Sequence, residues 1–311
     1  MKKAYCGLPD FNIEAKQIIE NAGIDLTVDT GNRPAGDKLI DILQKYDILI
    51  IGVFSKLTAD MIKYVKTPKI IASFSVGLDH IDKSFFESPL VKIVNIKTAN
   101  SLSVAEHIFS LILSLNKRIF ESNRLVLDKR GHRKNVHERP EDIFGKTLGL
   151  IGCGNITSEV ISFANVFKMK IKCYTKHPDK HTDMISKGVT FVSMDEVLQK
   201  SDIINISIPL TSETHNLISK DKISLLKPTA TFINTSRAEI VDTKALIEYA
   251  DLYDTFYVGL DIDLDNYTDL FSTYRNNVIV TPHTAGISKQ AIYRMDLEIA
   301  NNVISALKFV Y

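Results

Sequence analysis

The sequence has few cysteines, almost no net charge and no long apolar run. Its three cysteines are odd in number and far apart, which argues against a disulfide framework or a Cys-x-x-Cys metal pair and favours a reducing compartment. No apolar run approaches the ~20 residues that span a bilayer, and residues 1–10 lack the apolar core of a signal peptide. A net charge of +1 gives no broad attraction to nucleic acid or to a membrane. We therefore expect a cytoplasmic protein with no metal, nucleic-acid or membrane partner.

Length and pattern favour two domains of the α/β class. A chain of 311 residues is long for a single hydrophobic core. In both halves short apolar runs alternate with helix-compatible segments, which predicts two doubly wound parallel sheets. In the first half the predicted strands are 2–6, 26–28, 48–53, 70–73 and 93–95, and the predicted helices are 14–21, 36–45 and 58–66. In the second half the predicted strands are 148–151, 170–174, 203–206, 231–234, 257–261 and 278–280.

A long helical stretch separates these two sets of strands. Apolar residues recur at helical spacing over 103–129, and Ser103 and Glu106 are spaced as a capping box. The polar, basic segment 130–142 is interpreted as an exposed loop or a subunit contact, with a phosphate-binding patch as the less favoured alternative. A last helix is predicted over 289–308.

A glycine turn lies in the middle of the chain. A short apolar run ends at Gly152 and Gly154, and residues 156–167 are compatible with a helix. Glycines let the backbone approach a pyrophosphate, and the free N–H groups at a helix start attract negative charge. The signal is weak alone, because the third glycine of the usual fingerprint is Thr157 and ordinary tight turns look alike. Cys153 is interpreted as a small side chain that fits the turn, with redox sensitivity as the alternative.

Three polar residues follow predicted strands of the second half, at the carboxyl edge where open α/β sheets bind ligands. Arg237 offers a planar fork of donors for a carboxylate, and a surface salt bridge is its alternative role. His283 follows a strand and a proline and is able to exchange protons near neutral pH, with a capping or core role as the alternative. Asp261 ends a strand with a carboxylate. Each of the three alone is more often structural than catalytic.

Together these features resemble one family, the D-isomer-specific 2-hydroxyacid dehydrogenases, over nearly the whole chain. The Ser-Val-Gly-Leu-Asp segment at 75–79 looks most like the glyoxylate/hydroxypyruvate reductase branch. Six motifs in the right order are far more specific than a glycine turn. These motifs lie at 73–82, 103–107, 145–154, 201–211, 234–237 and 281–286.

The resemblance implies two domains with the active site in the cleft. Residues 1–100 plus 287–311 would form a discontinuous, flavodoxin-like substrate-binding domain, and residues 101–286 a Rossmann dinucleotide-binding domain. The family transfers a hydride between a nicotinamide cofactor and a small 2-keto or 2-hydroxy acid with D specificity. It also forms homodimers through the helix that starts near Ser103.

The family pattern further implies roles for particular residues. Arg237 would hold the substrate carboxylate and keto oxygen, and His283 would protonate that oxygen as hydride arrives, while the cation stabilises the developing alkoxide. The main-chain N–H groups of Val76, Gly77 and Leu78 would bind the carboxylate. The implied cofactor contacts are Ser103, Gly152, Gly154, Asn155, Ile156, Thr175, Lys176, Pro209, Thr214, Thr235, Ser236, Asp261, His283 and Gly286.

One departure from the family pattern concerns the cofactor. The acidic residue expected at the end of the second strand of the nucleotide domain is Thr175 here. A carboxylate at that place binds the ribose hydroxyls of NAD and repels a 2′-phosphate. Thr175, with Lys176, His177 and Lys180 nearby, therefore favours NADP(H), with NAD(H) as the alternative cofactor.

A second departure concerns the acid partner of His283. The family places a glutamate five residues after the aspartate that matches Asp261, where this sequence has Asn266. That glutamate pairs with the histidine and keeps it protonated. Asp265 is the predicted substitute and Asp263 a weaker candidate; if Asn266 faces the imidazole, keto-acid reduction would be slow or favoured at acid pH. The alternative function is a catalytically weakened, dinucleotide-binding regulatory protein of the same fold.

Overall fold

Two parallel sheets organise the chain, and each belongs to its own unit. Residues 1–100 with 288–311 form the first unit, and residues 101–287 form the second. A computed structural model describes residues 1–31, 33–136, 139–264 and 267–310. Every strand pair in these ranges is parallel, so the predicted fold class, α/β with two doubly wound sheets, is confirmed. No helix in these ranges is long and apolar enough to cross a membrane.

The first unit is a five-stranded sheet with a hydrophobic core on each face. Its strands are β1 (Lys2–Cys6), β2 (Ile24–Val28), β3 (Ile48–Ile51), β4 (Lys69–Ser73) and β5 (Val91–Asn95), and its helices are α1 (Ile13–Asn21), α2 (Gly36–Lys45), α3 (Lys83–Glu87) and α10 (Lys289–Ala306). The strand order is β2-β1-β3-β4-β5. Ile48 and Ile50 join the core with α1 and α10, whereas Leu49 and Ile51 join the core with α2. This alternation follows from the two-residue period of a strand.

Helix α10, from the C-terminal end of the chain, completes the first unit. Its Met295, Ile299 and Val303 are buried in the core that it shares with α1. The Glu298 carboxylate accepts a hydrogen bond of 2.9 Å from the main-chain N–H of Ala99, on the loop after β5. The last helix of the chain is therefore attached to elements that lie about two hundred residues earlier in the sequence.

Asp296 is a buried carboxyl group on the same helix. The residue is 2% exposed and accepts a hydrogen bond of 3.2 Å from the N–H of Asn12, the N-cap of α1. Burial, together with the nearby charge of Asp10, raises the pKa of Asp296 to about 6. Such a carboxyl group destabilises the fold when it is ionised.

The second unit contains a seven-stranded sheet in the order β12-β11-β10-β9-β6-β7-β8. Its strands are β6 (Thr147–Ile151), β7 (Lys170–Tyr174), β8 (Val189–Phe191), β9 (Ile203–Ile206), β10 (Thr231–Asn234), β11 (Tyr257–Asp261) and β12 (Val278–Thr281). Its helices are α4 (Ser101–Asn116), α5 (Ile119–Leu127), α6 (Asn155–Val166), α7 (Met194–Lys200), α8 (Lys220–Ile223) and α9 (Thr243–Leu252). The strand order reverses at β6, next to β9, which is the switch point where such sheets bind ligands.

The helical stretch predicted over 103–129 forms two helices, because the chain turns between α4 and α5. Arg118 has the left-handed φ of 56° between them. Buried polar groups hold this turn: the Asn116 amide donates to Thr231 Oγ1 at 3.1 Å, and the buried Arg118 guanidinium donates to Glu121 at 2.6 Å. These partners lie across the fold or within the turn, and hydrophobic periodicity carries no signal of them.

Two smaller elements also differ from the sequence prediction. The segment 58–66 forms a 3₁₀-helix at Ala59–Tyr64 in place of an α-helix. Its N-cap, Thr58, makes no capping bond, and its hydroxyl donates to the Asp60 carboxylate. The sequence does not predict β8, because this strand has only three residues and its apolar run is too short to indicate a strand.

Candidate active site

The glycine turn joins β6 to α6. Gly152 has a φ of 107°, which side-chain-bearing residues rarely adopt, and a Cβ there would lie 2.2 Å from the carbonyl oxygen of Ser207. At Gly154 a Cβ would meet nothing within 4 Å. The first glycine is therefore required by the fold, whereas the second leaves its backbone open to a ligand.

The start of α6 offers main-chain donors beside that open backbone. Its N-cap is Gly154, which has no capping side chain, and within the described residues the N–H groups of Ile156 and Thr157 donate to no protein group. The Thr157 side chain, which replaces the third glycine, is fully buried and donates to the Gly152 carbonyl at 3.1 Å. Free N–H groups at the positive end of a helix fit the phosphates of a dinucleotide.

The residues expected to select the cofactor lie after β7. Thr175 is half-buried, and Lys176 forms an exposed ion pair with Glu213. Their hydrogen bond raises the pKa of Lys176 and lowers the pKa of Glu213. The predicted cation is present, but it has a carboxylate beside it. Glu213 is 37 positions away in the chain, so no local pattern announces it.

The predicted contacts after β9 and β10 brace two turns. Thr214 Oγ1 donates to the carbonyl of Pro209 at 2.7 Å and accepts from the N–H of Thr211 at 2.8 Å. The Ser236 hydroxyl donates to the last carbonyl of β9 at 3.0 Å, and Thr235 beside it is half-buried. These side chains shape the edge of the sheet, and their cofactor contacts stay predictions. The remaining predicted contacts are exposed or half-buried at the start of α6 and after β12: Asn155, Ile156 and Gly286.

Arg237, His283 and Asp263 form a row of ionisable side chains in the second unit, beyond the ends of β10, β12 and β11. His283 Nδ1 lies 3.1 Å from Asp263 Oδ2, and His283 Nε2 lies 3.5 Å from a terminal nitrogen of Arg237. The side chain of His283 is 27% exposed and that of Asp263 is 62% exposed. With the Nδ1 proton donated to the carboxylate, Nε2 is the nitrogen that meets a ligand.

The backbone at His283 is strained and firmly held. Its φ of 53° lies in the left-handed region, which costs a residue other than glycine roughly 1–3 kcal/mol. The buried Asp261 carboxylate accepts from the hydroxyl of the last β12 residue at 2.5 Å and from the N–H groups of Thr284 and Ala285 at 2.8 Å. The Ser103 hydroxyl donates to the Ala285 carbonyl at 2.8 Å. Ser103 lies inside α4, which begins at Ser101, so its predicted capping role is wrong. Asp261 and Ser103 thus position the histidine turn, and their predicted contacts with a cofactor stay predictions.

In the first unit, the loop after β4 carries the predicted carboxylate-binding groups. Ser75 Oγ donates to the Gly77 carbonyl at 2.6 Å, and the Asn95 amide donates to the Val76 carbonyl at 3.0 Å. Within the described ranges, the N–H groups of Val76, Gly77 and Leu78 donate to no protein group. Successive free N–H groups form a concavity that suits an anion. This geometry agrees with the predicted role, which stays a prediction.

Comparison with known proteins places this architecture in a family. Residues 109–285 match the family described as D-isomer specific 2-hydroxyacid dehydrogenase, NAD binding domain. The chain belongs to this family. A hydroxypyruvate reductase from Thermotoga maritima is 32% identical over 94% of this chain and 95% of its own length. A glyoxylate reductase from Thermococcus litoralis is 30% identical over 92% of this chain and 87% of its own length. The chain spans about half, 53%, of a D-3-phosphoglycerate dehydrogenase from Synechocystis that is 29% identical.

Two solved structures are similar to this D-2-hydroxyacid dehydrogenase over nearly their whole length. An acyclic imino acid reductase, Bsp5, in complex with NADPH and D-Arg has a TM-score of 0.89 and 28% identity, and the match covers 100% of this chain and 98% of Bsp5. A D-lactate dehydrogenase from Aquifex aeolicus, complexed with NAD and lactic acid, has a TM-score of 0.84 and 29% identity, with 98% and 95% covered. These two proteins hold different nicotinamide cofactors, so the shared fold alone does not select one.

Among the described residues of this dehydrogenase, the aspartate that faces His283 is Asp263, the weaker candidate from the sequence. Asp265, the preferred candidate, and Asn266 lie outside the described residues, so the choice of Asp265 stays a prediction. Asp265 lies one residue before the position, five residues after Asp261, at which the family places its glutamate. The sequence signal for the observed pair of His283 and Asp263 is that Asp263 lies only two residues beyond Asp261, where the chain leaves β11.

The cysteines of the nucleotide-binding region are packing residues. Cys153 in the glycine turn and Cys173 on β7 are buried, and burial raises the pKa of both thiols. A buried neutral thiol is a poor nucleophile, which favours the packing interpretation of Cys153 over redox sensitivity. In the part of this dehydrogenase that the structure describes, no three His, Cys, Asp or Glu residues are grouped to hold a metal ion.

Proposed function

We propose that this protein reduces small 2-keto acids, of the size of glyoxylate or hydroxypyruvate, to D-2-hydroxy acids and prefers NADP(H). Arg237, His283 and Asp263 carry this assignment, because they put a permanent cation and a proton donor side by side. The relatives named hydroxypyruvate reductase and glyoxylate reductase support the substrate class. The match to the family's NAD binding domain supports a nicotinamide cofactor.

The residues of the chain orient and protonate the keto group. Reduced nicotinamide, when bound, supplies the hydride. The 3.5 Å between Arg237 and His283 Nε2 lets one keto oxygen accept a hydrogen bond from each. As negative charge grows on that oxygen, the guanidinium stabilises it and the imidazolium transfers its Nε2 proton to it. The Asp263 carboxylate accepts a hydrogen bond from the Nδ1–H group, which orients the ring and balances the charge of the imidazolium. The free N–H groups at 76–78 bind the substrate carboxylate.

The preference for NADP(H) rests on the end of β7. Thr175 carries no carboxylate that would repel a 2′-phosphate, and Lys176 supplies a cation next to it. The exposed Lys176–Glu213 pair is weak, since solvent screens it, and a phosphate competes for the ammonium. Initial rates with NADPH and NADH test this preference, and a clear preference for NADH would refute it.

The proposed reaction is tested by NADPH oxidation with glyoxylate, hydroxypyruvate and pyruvate between about pH 5 and pH 8. His283→Ala is expected to lower kcat by roughly 10²- to 10⁴-fold, because the reaction loses its general acid. His132→Ala removes an exposed histidine of the same unit and serves as the matched control. Full activity of His283→Ala would remove the histidine from the mechanism.

The alternative function predicts a different result in the same assay. A regulatory protein would bind NADPH tightly, as followed by quenching of NADPH fluorescence, and reduce no 2-keto acid. The substrate panel also includes each 2-keto acid with methylamine, because one similar structure is an imino acid reductase. Turnover only in the presence of the amine would assign C=N reduction in place of C=O reduction.

The predicted homodimer is supported by apolar side chains on α5. Ile119, Phe120, Val126 and Leu127 are each more than half exposed in the single chain. Large apolar side chains clustered on one surface element mark an interaction site. Sedimentation equilibrium is expected to give a dimer, and Leu127→Asp is expected to weaken it; a wild-type monomer at micromolar concentration would refute the proposal.

A further inference from the structure

Arg33 is an exposed cation on the loop that follows β2 in the first unit. Its guanidinium carbon lies 3.8 Å from the centroid of the Phe54 ring, and Phe54 lies on the loop after β3. Within the described residues Arg33 forms no ion pair. Stacking on an aromatic face holds the guanidinium in place and leaves its edge N–H groups available for bidentate binding of an anion.

The loop that carries Arg33 is anchored on both sides. Before it, Asp29 accepts from Tyr5 Oη at 2.6 Å and from Lys38 Nζ at 2.5 Å, and these bonds hold the pKa of Asp29 well below its usual range. After it, Pro34 packs against Gly7, where an added Cβ would lie 3.0 Å from the proline ring. The carboxylate of Asp29 on this loop is therefore paired with Lys38, and none of the described carboxylates forms an ion pair with Arg33.

The loop that carries Phe54 is joined to the loop that carries the free N–H groups at 76–78. The N–H of Leu57 donates to the His80 carbonyl at 2.9 Å, and the N–H of Asp82 donates to the Leu57 carbonyl at 2.8 Å. These loops follow β3 and β4, which are neighbours in the sheet. Through its contact with Phe54, Arg33 is therefore held beside the loop that neighbours the one carrying those N–H groups.

We infer that Arg33, stacked on Phe54, binds a second anionic group of the substrate. The inference rests on the proposed function, in which the N–H groups at 76–78 bind the first carboxylate. Four- and five-carbon 2-keto diacids carry their second carboxylate only about 4–5 Å from the first by bond geometry, so a donor on the adjoining loops is suited to bind it. The enzyme therefore prefers 2-keto acids that carry a distal carboxylate or phosphate over those that are uncharged at the distal end.

The test compares kcat/KM within pairs of substrates, one of which carries a distal anionic group and the other does not. The pairs are oxaloacetate with 2-oxobutanoate, 2-oxoglutarate with 2-oxopentanoate, and phosphonooxypyruvate with hydroxypyruvate. Arg33→Ala is expected to lower the ratio of charged to uncharged substrate by about 10- to 100-fold, the size of a lost charge-assisted hydrogen bond. Arg33→Lys is expected to restore part of that ratio, since it keeps the charge without the planar fork. Lys56→Ala removes an exposed cation from the loop of Phe54 and is expected to leave the ratio unchanged.

Each outcome has a distinct meaning. The pair with the largest drop in Arg33→Ala identifies the distal group as carboxylate or phosphate. A wild-type enzyme that reduces the uncharged member of every pair as efficiently as the charged one overturns the inference, as does an equal loss for all substrates in Arg33→Ala. An effect of Lys56→Ala as large as that of Arg33→Ala also overturns the assignment to Arg33. If wild-type protein reduces neither glyoxylate nor any member of the pairs, the proposed function itself fails, and the inference with it.

Discussion

Replacing Asp296 by asparagine is expected to stabilise the first unit at neutral pH. Burial, more than the charge of Asp10, raises the pKa of this carboxyl from 3.8 to about 6. A carboxyl group with a raised pKa supports the fold only while protonated, so its contribution is lost as the pH rises from about 4 through about 6. A shift of about two pKa units corresponds to ~3 kcal/mol of unfolding free energy above that window. The amide of the variant keeps an oxygen for the N–H of Asn12 and carries no charge.

Urea unfolding and hydrogen exchange at about pH 4 and about pH 8 measure this effect. A chain of two units need not unfold in one step, so exchange of the α1 and α10 amides reports on the first unit itself. At about pH 8 the variant is expected to exceed the wild type by about 2–3 kcal/mol, and at about pH 4 by less than ~1 kcal/mol. Asp25→Asn, at an exposed position of β2, is the matched control and is expected to show no such gain. A variant less stable than wild type at the higher pH, or an equal gain at both pH values, would refute the reasoning.

Three further substitutions test the second unit. Asp263→Asn removes the negative partner of His283 and is expected to lower kcat with glyoxylate about tenfold at neutral pH. The falling limb of the pH–rate profile is expected to move to lower pH, and an unchanged profile would contradict this pairing. Glu213→Gln frees Lys176 and is expected to raise the NADPH to NADH ratio of kcat/KM by about two- to fivefold, and a lower ratio would argue against Lys176 as a phosphate contact. Gly152→Ala is expected to weaken NADPH binding at least about tenfold in a fluorescence titration, because its Cβ meets a carbonyl oxygen; wild-type affinity would show that the turn adapts.

The strands were the most predictable part of the fold. Strands β9 and β10 have their predicted bounds, because parallel strands buried on both faces are continuous apolar runs. The break at Arg118 was not predictable from periodicity. It depends on a buried guanidinium and on Asn116 reaching Thr231, which are contacts between distant parts of the chain. Local pattern therefore places elements, whereas tertiary contacts decide where a helix is interrupted.

In the candidate site, too, the local pattern predicts residues next to strands but not their partners on loops. Arg237 and His283 are predictable as site candidates because each lies within three residues of the end of an apolar strand, a position that a sequence displays. The partners Asp263 and Glu213 lie on connecting segments, where small differences in loop path change which side chain faces the site. Thr157 shows the same limit, since only the folded turn reveals that its hydroxyl bonds to the carbonyl of a glycine.

The placement of α10 has a consequence for the order in which this chain matures on a ribosome. The five strands of the first unit are synthesised first, but the helix that completes one of their two cores follows 187 residues later, after the whole of residues 101–287. At ~5–20 residues per second that interval is ~10–40 s. The second unit is contiguous and needs no later segment. Although the second unit is encoded second, it is the unit able to reach its native state first. Until α10 is synthesised, the apolar face of the N-terminal sheet that α10 covers has to be shielded by other means, such as a chaperone.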